Sequence, residues 1–136
     1  MLKKLMIKLA LVALLMAPQL ARTDVDMLEY LPGDVKALQA EGKTVFVDFY
    51  TTWCGTCKRQ ERMINEITSE NPAYGEKMVF INVDWDVHAS SELSKTWNIP
   101  RRSTLVVVRG EKELGRLVAV TGKDEIRALM DLGLKD

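Results

Sequence analysis

Cys54 and Cys57, three positions apart, are the residues whose type and spacing most directly suggest chemistry. A cysteine is a nucleophile only as its thiolate, and a thiol at a helix N-terminus meets the positive end of the dipole and unpaired backbone N–H groups. Cys54 stands at such a place, just ahead of residues with helical periodicity. First cysteines of such motifs have pKa values of roughly 3.5–7.5, against about 8.5 for a free thiol. Cys54 is therefore expected to attack a disulfide sulfur, and Cys57, one helical turn on, to resolve the mixed disulfide that results. Gly55-Thr56 between them should tune the reduction potential. A structural disulfide is the rival reading, but a bridge closing so small a ring removes little chain entropy. Half a zinc site is weaker still, because zinc needs four ligands and the single histidine, His88, is distant in sequence and reads as a solvated loop residue. No metal site and no cofactor motif is expected.

The elements that must hold this pair can be read from pattern. Thr44-Val45-Phe46-Val47-Asp48-Phe49-Tyr50 is rich in β-branched and aromatic residues, as a buried strand would be, and runs straight into the cysteines. From Cys57 to about residue 70, Met63, Ile64 and Ile67 recur at helical spacing among charged residues, which predicts an amphipathic helix stopped by Asn71-Pro72. Around these lie a turn at residues 31–34 and a helix over 35–40, a second strand over 78–84, and a short helix over 90–97 capped by Ser90 or Ser91. Two strands, 104–109 and 113–120, make a hairpin around Arg109-Gly110-Glu111-Lys112, and a helix over 123–134 closes the chain. That order predicts an α/β sheet with helices on both faces.

A chain of 136 residues, 47% hydrophobic, is enough for one domain with a real core. Its 19 basic and 19 acidic residues cancel, and no basic stripe suggests nucleic acid. Lys3, Lys4 and Lys8 precede an apolar run over residues 9–17 and then small residues, the order of a secretory signal peptide. The run is well short of the ~20 apolar residues of a membrane span, so no stable membrane insertion is expected once the signal is removed. Residues 1–21 are read as the signal and 22–136 as the domain, although neither Ala17 nor Ala21 fits the small-x-small cleavage pattern well. Removing the signal takes away three lysines and no acid, leaving a net charge of −3.

Over about residues 30–135 the sequence resembles the thioredoxin family, through Val47-Asp48-Phe49-Tyr50, Trp53-Cys54-Gly55-Thr56-Cys57-Lys58 and Ile81-Asn82-Val83-Asp84. Within it, Asp48-Phe49-Tyr50, Cys57-Lys58 and Val120-Thr121-Gly122 are similar to the periplasmic C-terminal domain of the transmembrane disulfide reductase DsbD and its small exported relatives. The resemblance implies a thioredoxin fold, a central mixed sheet flanked by helices on both faces, with Cys54 and Cys57 as a redox-active disulfide. Asp48, six residues before Cys54, is implied to be a buried acid that relays the proton of Cys57. The bland alternative is an edge-of-strand acid bonded to backbone. Phe80 stands where the family often has a lysine near that acid, so Asp48 should be easily protonated.

The loop facing the cysteines usually carries a cis-proline followed by threonine. Counting from Trp97-Asn98-Ile99 places Ser103 there with Thr104 after it, while Pro100 is three residues early. A cis bond before a non-proline residue costs about 2.5–4 kcal/mol, so the Arg102–Ser103 bond is either trans or held cis under strain. In the family this loop pairs its backbone with substrate and keeps metals from the cysteines. By resemblance Trp53, Arg102, Ser103 and Thr104 are the substrate-contacting residues. Trp53 offers an exposed aromatic edge to a partner, Arg101 and Arg102 put positive charge beside the thiols, there to stabilise the Cys54 thiolate, to attract an acidic partner or simply to be solvated, and Trp85 and Trp97 serve the core or its rim. The function implied is a periplasmic dithiol–disulfide reductase acting on protein disulfides, with a membrane thiol–disulfide reductase as electron donor. A disulfide oxidase or isomerase would use the same cysteines, because only reduction potentials decide direction. A non-catalytic binding or chaperone module on the same scaffold is the rival from another class.

Overall fold

The computed structural model describes residues 25–136, and the expected signal segment 1–21 lies outside them. In chain order the elements are β1 (Met27–Glu29), α1 (Asp34–Ala40), β2 (Thr44–Tyr50), α2 (Gly55–Glu70), α3 (Ala73–Lys77), β3 (Val79–Asp84), α4 (Trp85–His88), α5 (Glu92–Thr96), β4 (Thr104–Arg109), β5 (Lys112–Val118) and α6 (Lys123–Leu132). They form a five-stranded mixed sheet in the order β1-β3-β2-β4-β5. β2 is its middle strand, parallel to β3 with Val47 opposite Ile81, and antiparallel to β4 with Val47 opposite Val106.

Apart from Asp48, the middle strand is apolar from Val45 to Phe49 because both its faces are covered. Val45, Val47 and Phe49 point to one side, into a cluster with Val35 of α1, Leu93 of α5 and Ile99. Phe46 points to the other, against Ile64 and Ile67 of α2, Phe80, Leu105, and Ile126 and Met130 of α6. Full burial of each such side chain stabilises the fold by roughly 1.5–3 kcal/mol. Alternation places Asp48 on the face of Phe46, so a carboxyl group sits in a row of hydrophobic positions, directly below the end of the strand that leads to the cysteines.

Three elements were not expected from pattern. β1 is three residues long and extends the sheet beyond β3. α3 begins just after Pro72, whose αR geometry (φ −65°, ψ −16°) opens a new turn where the preceding helix stops. α4 holds His88 in helix rather than loop: its ring is half-buried and meets Tyr30 edge-to-face, 4.9 Å between centroids. The 113–120 strand is shorter at its far end than its sequence suggests, because Ala119 turns to φ +59° and sends its N–H to the Ser103 carbonyl. The hairpin turn closes between Arg109 and Lys112, with Gly110 at φ +54°. Trp85 and Trp97 pack at the rim of the first cluster, each edge-on to Phe49.

Candidate active site

Cys54 and Cys57 form a disulfide with their Cα atoms 5.2 Å apart. Cys54 is the N-cap of α2, in extended backbone geometry (φ −85°, ψ 114°), and its sulfur accepts the N–H of Cys57 at 3.1 Å. The sulfur thus fills the place of the usual capping oxygen, which is why the helix begins at Gly55 rather than at Cys57. In the disulfide form Cys54 and Cys57 are 4% and 3% exposed. The difference in nucleophilicity therefore rests on the helix end, where Cys54 caps and Cys57 lies inside the first turn.

Ser103 lies directly against the pair. Its side chain is fully buried, and its Oγ is 3.3 Å from Sγ of Cys54 and 3.1 Å from Sγ of Cys57. Among the described residues there is no cis peptide bond, so Arg102–Ser103 is trans, and Ser103 takes the left-handed region at φ +64°. Three hydrogen bonds hold it there. Its N–H donates to the carbonyl of Phe49 at 2.7 Å, and its carbonyl accepts from the N–H of Ala119 at 2.8 Å and from Nε2 of Gln60 at 3.0 Å. Gln60 also donates to the carbonyl of Val120. This wholly buried glutamine on α2 ties the Ser103 loop and the end of β5 to the helix that carries the cysteines. Sequence reading missed it, although its spacing of four from Ile64 and seven from Ile67 places it on the buried stripe.

Asp48 is 4% exposed, in the middle strand and not at an edge, and its Oδ1 has no hydrogen-bond partner. The reading of a backbone-satisfied acid does not hold for that oxygen. Burial pushes its carboxyl up to about 7, with the carboxylates of Glu61 and Glu29 adding to the effect. Phe80 is buried on the same face of the sheet against Phe46, so the position facing that side of the acid offers an aromatic ring in place of a cation. Asp48 and Cys57 line one cavity of about 220 Å³, together with Tyr50, Lys58, Glu61 and Asn82. A cavity of this size admits water, and so a path for a proton between Cys57 and Asp48.

The remaining expected residues surround the sulfurs differently. Trp53 is 60% exposed. Its Nε1 donates to Asp86 at 2.8 Å, and the Arg102 guanidinium sits 4.3 Å from its ring centroid. Arg102 is thus engaged by the tryptophan, and Arg101 turns its Nε to the Arg102 carbonyl. Thr104 is buried and donates its hydroxyl to the carbonyl of Arg101 at 2.7 Å, which braces the loop. Among the described residues no cluster of three or more His, Cys, Asp or Glu side chains could hold a metal.

A disulfide capping a helix, a buried acid beneath it and a tightly held loop across it together make a dithiol–disulfide exchange site. The thioredoxin family model matches residues 34–132. The chain belongs to the thioredoxin family. Thioredoxin H2-1 of Oryza sativa subsp. japonica is 36% identical over 84 residues, 62% of this chain and 56% of that protein. This chain therefore spans little more than half the length of the rice relative. A thioredoxin of Mycolicibacterium smegmatis is 30% identical over 81 residues, 60% of this chain and 70% of that one. Among solved structures, the thioredoxin of Malassezia sympodialis superposes with a TM-score of 0.68 at 25% identity, covering 82% of this chain and 96% of that one. The mixed sheet with helices on both faces is the thioredoxin fold.

Proposed function

We propose that this thioredoxin-family chain is an exported protein thiol:disulfide oxidoreductase, working as a reductase in the manner of the periplasmic C-terminal domain of DsbD. The observation that carries the chemistry is the Cys54–Cys57 disulfide at the cap of α2, sharing a cavity with the buried Asp48. In the reduced protein the Cys54 thiolate attacks one sulfur of a client disulfide, and the client's other sulfur leaves as a thiolate and takes up a proton. Cys57 then gives its proton to Asp48 and attacks Cys54, releasing the second client thiolate and closing the disulfide. Two electrons pass to the client, and a dithiol donor at the membrane restores the pair by the same steps in reverse. Export is supported by Lys3, Lys4 and Lys8 ahead of the apolar run over residues 9–17.

Trapping tests this. The Cys57→Ser variant cannot resolve its mixed disulfide, so expressed as the full chain in a bacterium with two membranes it should accumulate disulfide-linked client proteins and a membrane reductase. They should be recovered from the periplasmic fraction with residues 1–21 removed. Capture of nothing, together with no dithiol turnover by the wild type, overturns the oxidoreductase reading. Capture confined to the cytoplasm overturns the exported one.

A further inference from the structure

The fully buried Ser103 hydroxyl has no hydrogen-bond partner among the described residues other than the two cysteine sulfurs, at 3.3 and 3.1 Å. Sulfurs in a disulfide carry no hydrogen, so in this state the hydroxyl must be the donor. It has one proton and two acceptors. Cys54 Sγ also receives the Cys57 N–H, whereas among the described residues Cys57 Sγ receives no other donor. We propose that the Ser103 hydroxyl is a catalytic hydrogen-bond donor that follows the negative charge from one sulfur to the other, stabilising the Cys54 thiolate before attack and the Cys57 thiolate during resolution. The inference rests on the exchange chemistry proposed above and adds to it the group that serves both anions.

The backbone explains how the hydroxyl can do this without moving. Ser103 is held at φ +64° by the carbonyl of Phe49 on one side and by Ala119 and Gln60 on the other. Only χ1 and the O–H torsion remain, and a small rotation carries the proton between sulfurs that are both within reach. Hydrogen bonds to a charged acceptor are roughly twice as strong as neutral ones. The hydroxyl therefore favours each thiolate over the disulfide sulfur it replaces. The thiolate equilibrium should shift about tenfold, which is about one pH unit in titration and about 30 mV in a two-electron potential.

The test compares Ser103→Ala with Ser103→Gly in the reduced full chain. Both lose the hydroxyl, but glycine accepts φ +64° freely and alanine does not. The pH dependence of Cys54 alkylation by iodoacetamide, located by mass spectrometry, should move up by about one pH unit in both variants. Resolution of the mixed disulfide with glutathione by Cys57 should slow by about tenfold or more. An unmoved alkylation midpoint in both overturns the proposal. So does a shift in the alanine variant alone, which would assign the effect to backbone strain. If the alanine variant fails to fold, the glycine variant decides by itself. Alkylation needs no client, so this result is separable from failure of the oxidoreductase reading.

Discussion

Asp48→Asn should stabilise the oxidised protein in a way that depends on pH. The Asp48 carboxyl has an ordinary value of 3.8 and is pushed to about 7 in the folded state. Between those values the native protein holds a proton that the unfolded chain has released, so stability falls as pH rises through the window and is level above it. At about 1.4 kcal/mol per pH unit, the loss accumulates to about 4 kcal/mol by pH 8. Asparagine has the same shape and no charge to desolvate. The variant should therefore gain nothing over wild type near pH 4 and about 4 kcal/mol near pH 8. A buried amide lacking partners costs roughly 1–3 kcal/mol at every pH, which displaces the whole difference curve but leaves its slope. Urea unfolding of the disulfide-intact proteins at half-unit steps from pH 4 to 9 reads the difference, because groups common to both cancel. A difference that stays flat with pH, or shrinks as pH rises, would refute the claim that a desolvated carboxylate is carried in the sheet.

The same titration should govern turnover. In the proposed exchange Asp48 accepts the proton of Cys57 only when ionised, so kcat for client reduction should rise through about pH 7 in wild type, and the Asp48→Asn variant should lack that limb and be slower by roughly a hundredfold. Gln60→Ala removes the donor to Ser103 and Val120 and opens a cavity, and should cost about 3 kcal/mol in denaturant unfolding. Gln60→Leu, which fills the space, should cost less stability while still loosening the loop, seen as faster amide exchange at Ser103 and Ala119. Arg102→Gln removes only the half-exposed stack on Trp53 and should shift stability by about 1 kcal/mol or less, with Cys54 alkylation unchanged.

Elements with a strong period were legible from residues alone. β2 and β4 run over the spans their β-branched residues suggest, because both faces of each are buried and every position is selected for packing. The ends of elements were not legible, since they depend on partners distant in sequence. α2 starts at Gly55 because a sulfur caps it. β5 stops at Val118 because Ala119 is claimed by Ser103. β1 is too short to show alternation and exists through its pairing with β3. At the site, motif spacing gave the cysteines, and the resemblance to the thioredoxin family implied Asp48 and, at the family's proline position, Ser103. Gln60 went unseen because a polar residue in an amphipathic helix is ordinarily solvated, and only the three-dimensional closeness of two loop carbonyls explains its burial. The guanidinium of Arg102 went unplaced for a similar reason: charge alone left open a place beside the thiols, an acidic partner or plain solvation, while the neighbouring indole offered a face.

The trans geometry at Ser103 has an evolutionary consequence. A proline ring fixes φ near −65° and has no N–H, whereas this position needs φ +64° and an N–H for the Phe49 carbonyl. Serine and the family's usual proline at this position are therefore far apart in backbone, although a single base change can interconvert their codons. A Ser103→Pro change would not restore the common loop but would break this one, and a lineage passing between the two has to rebuild the backbone around Arg102 and Ala119, and the Gln60 clasp, in concert. Relatives sharing serine here should accordingly share a buried polar residue at the Gln60 position, and those with proline should be free of that constraint.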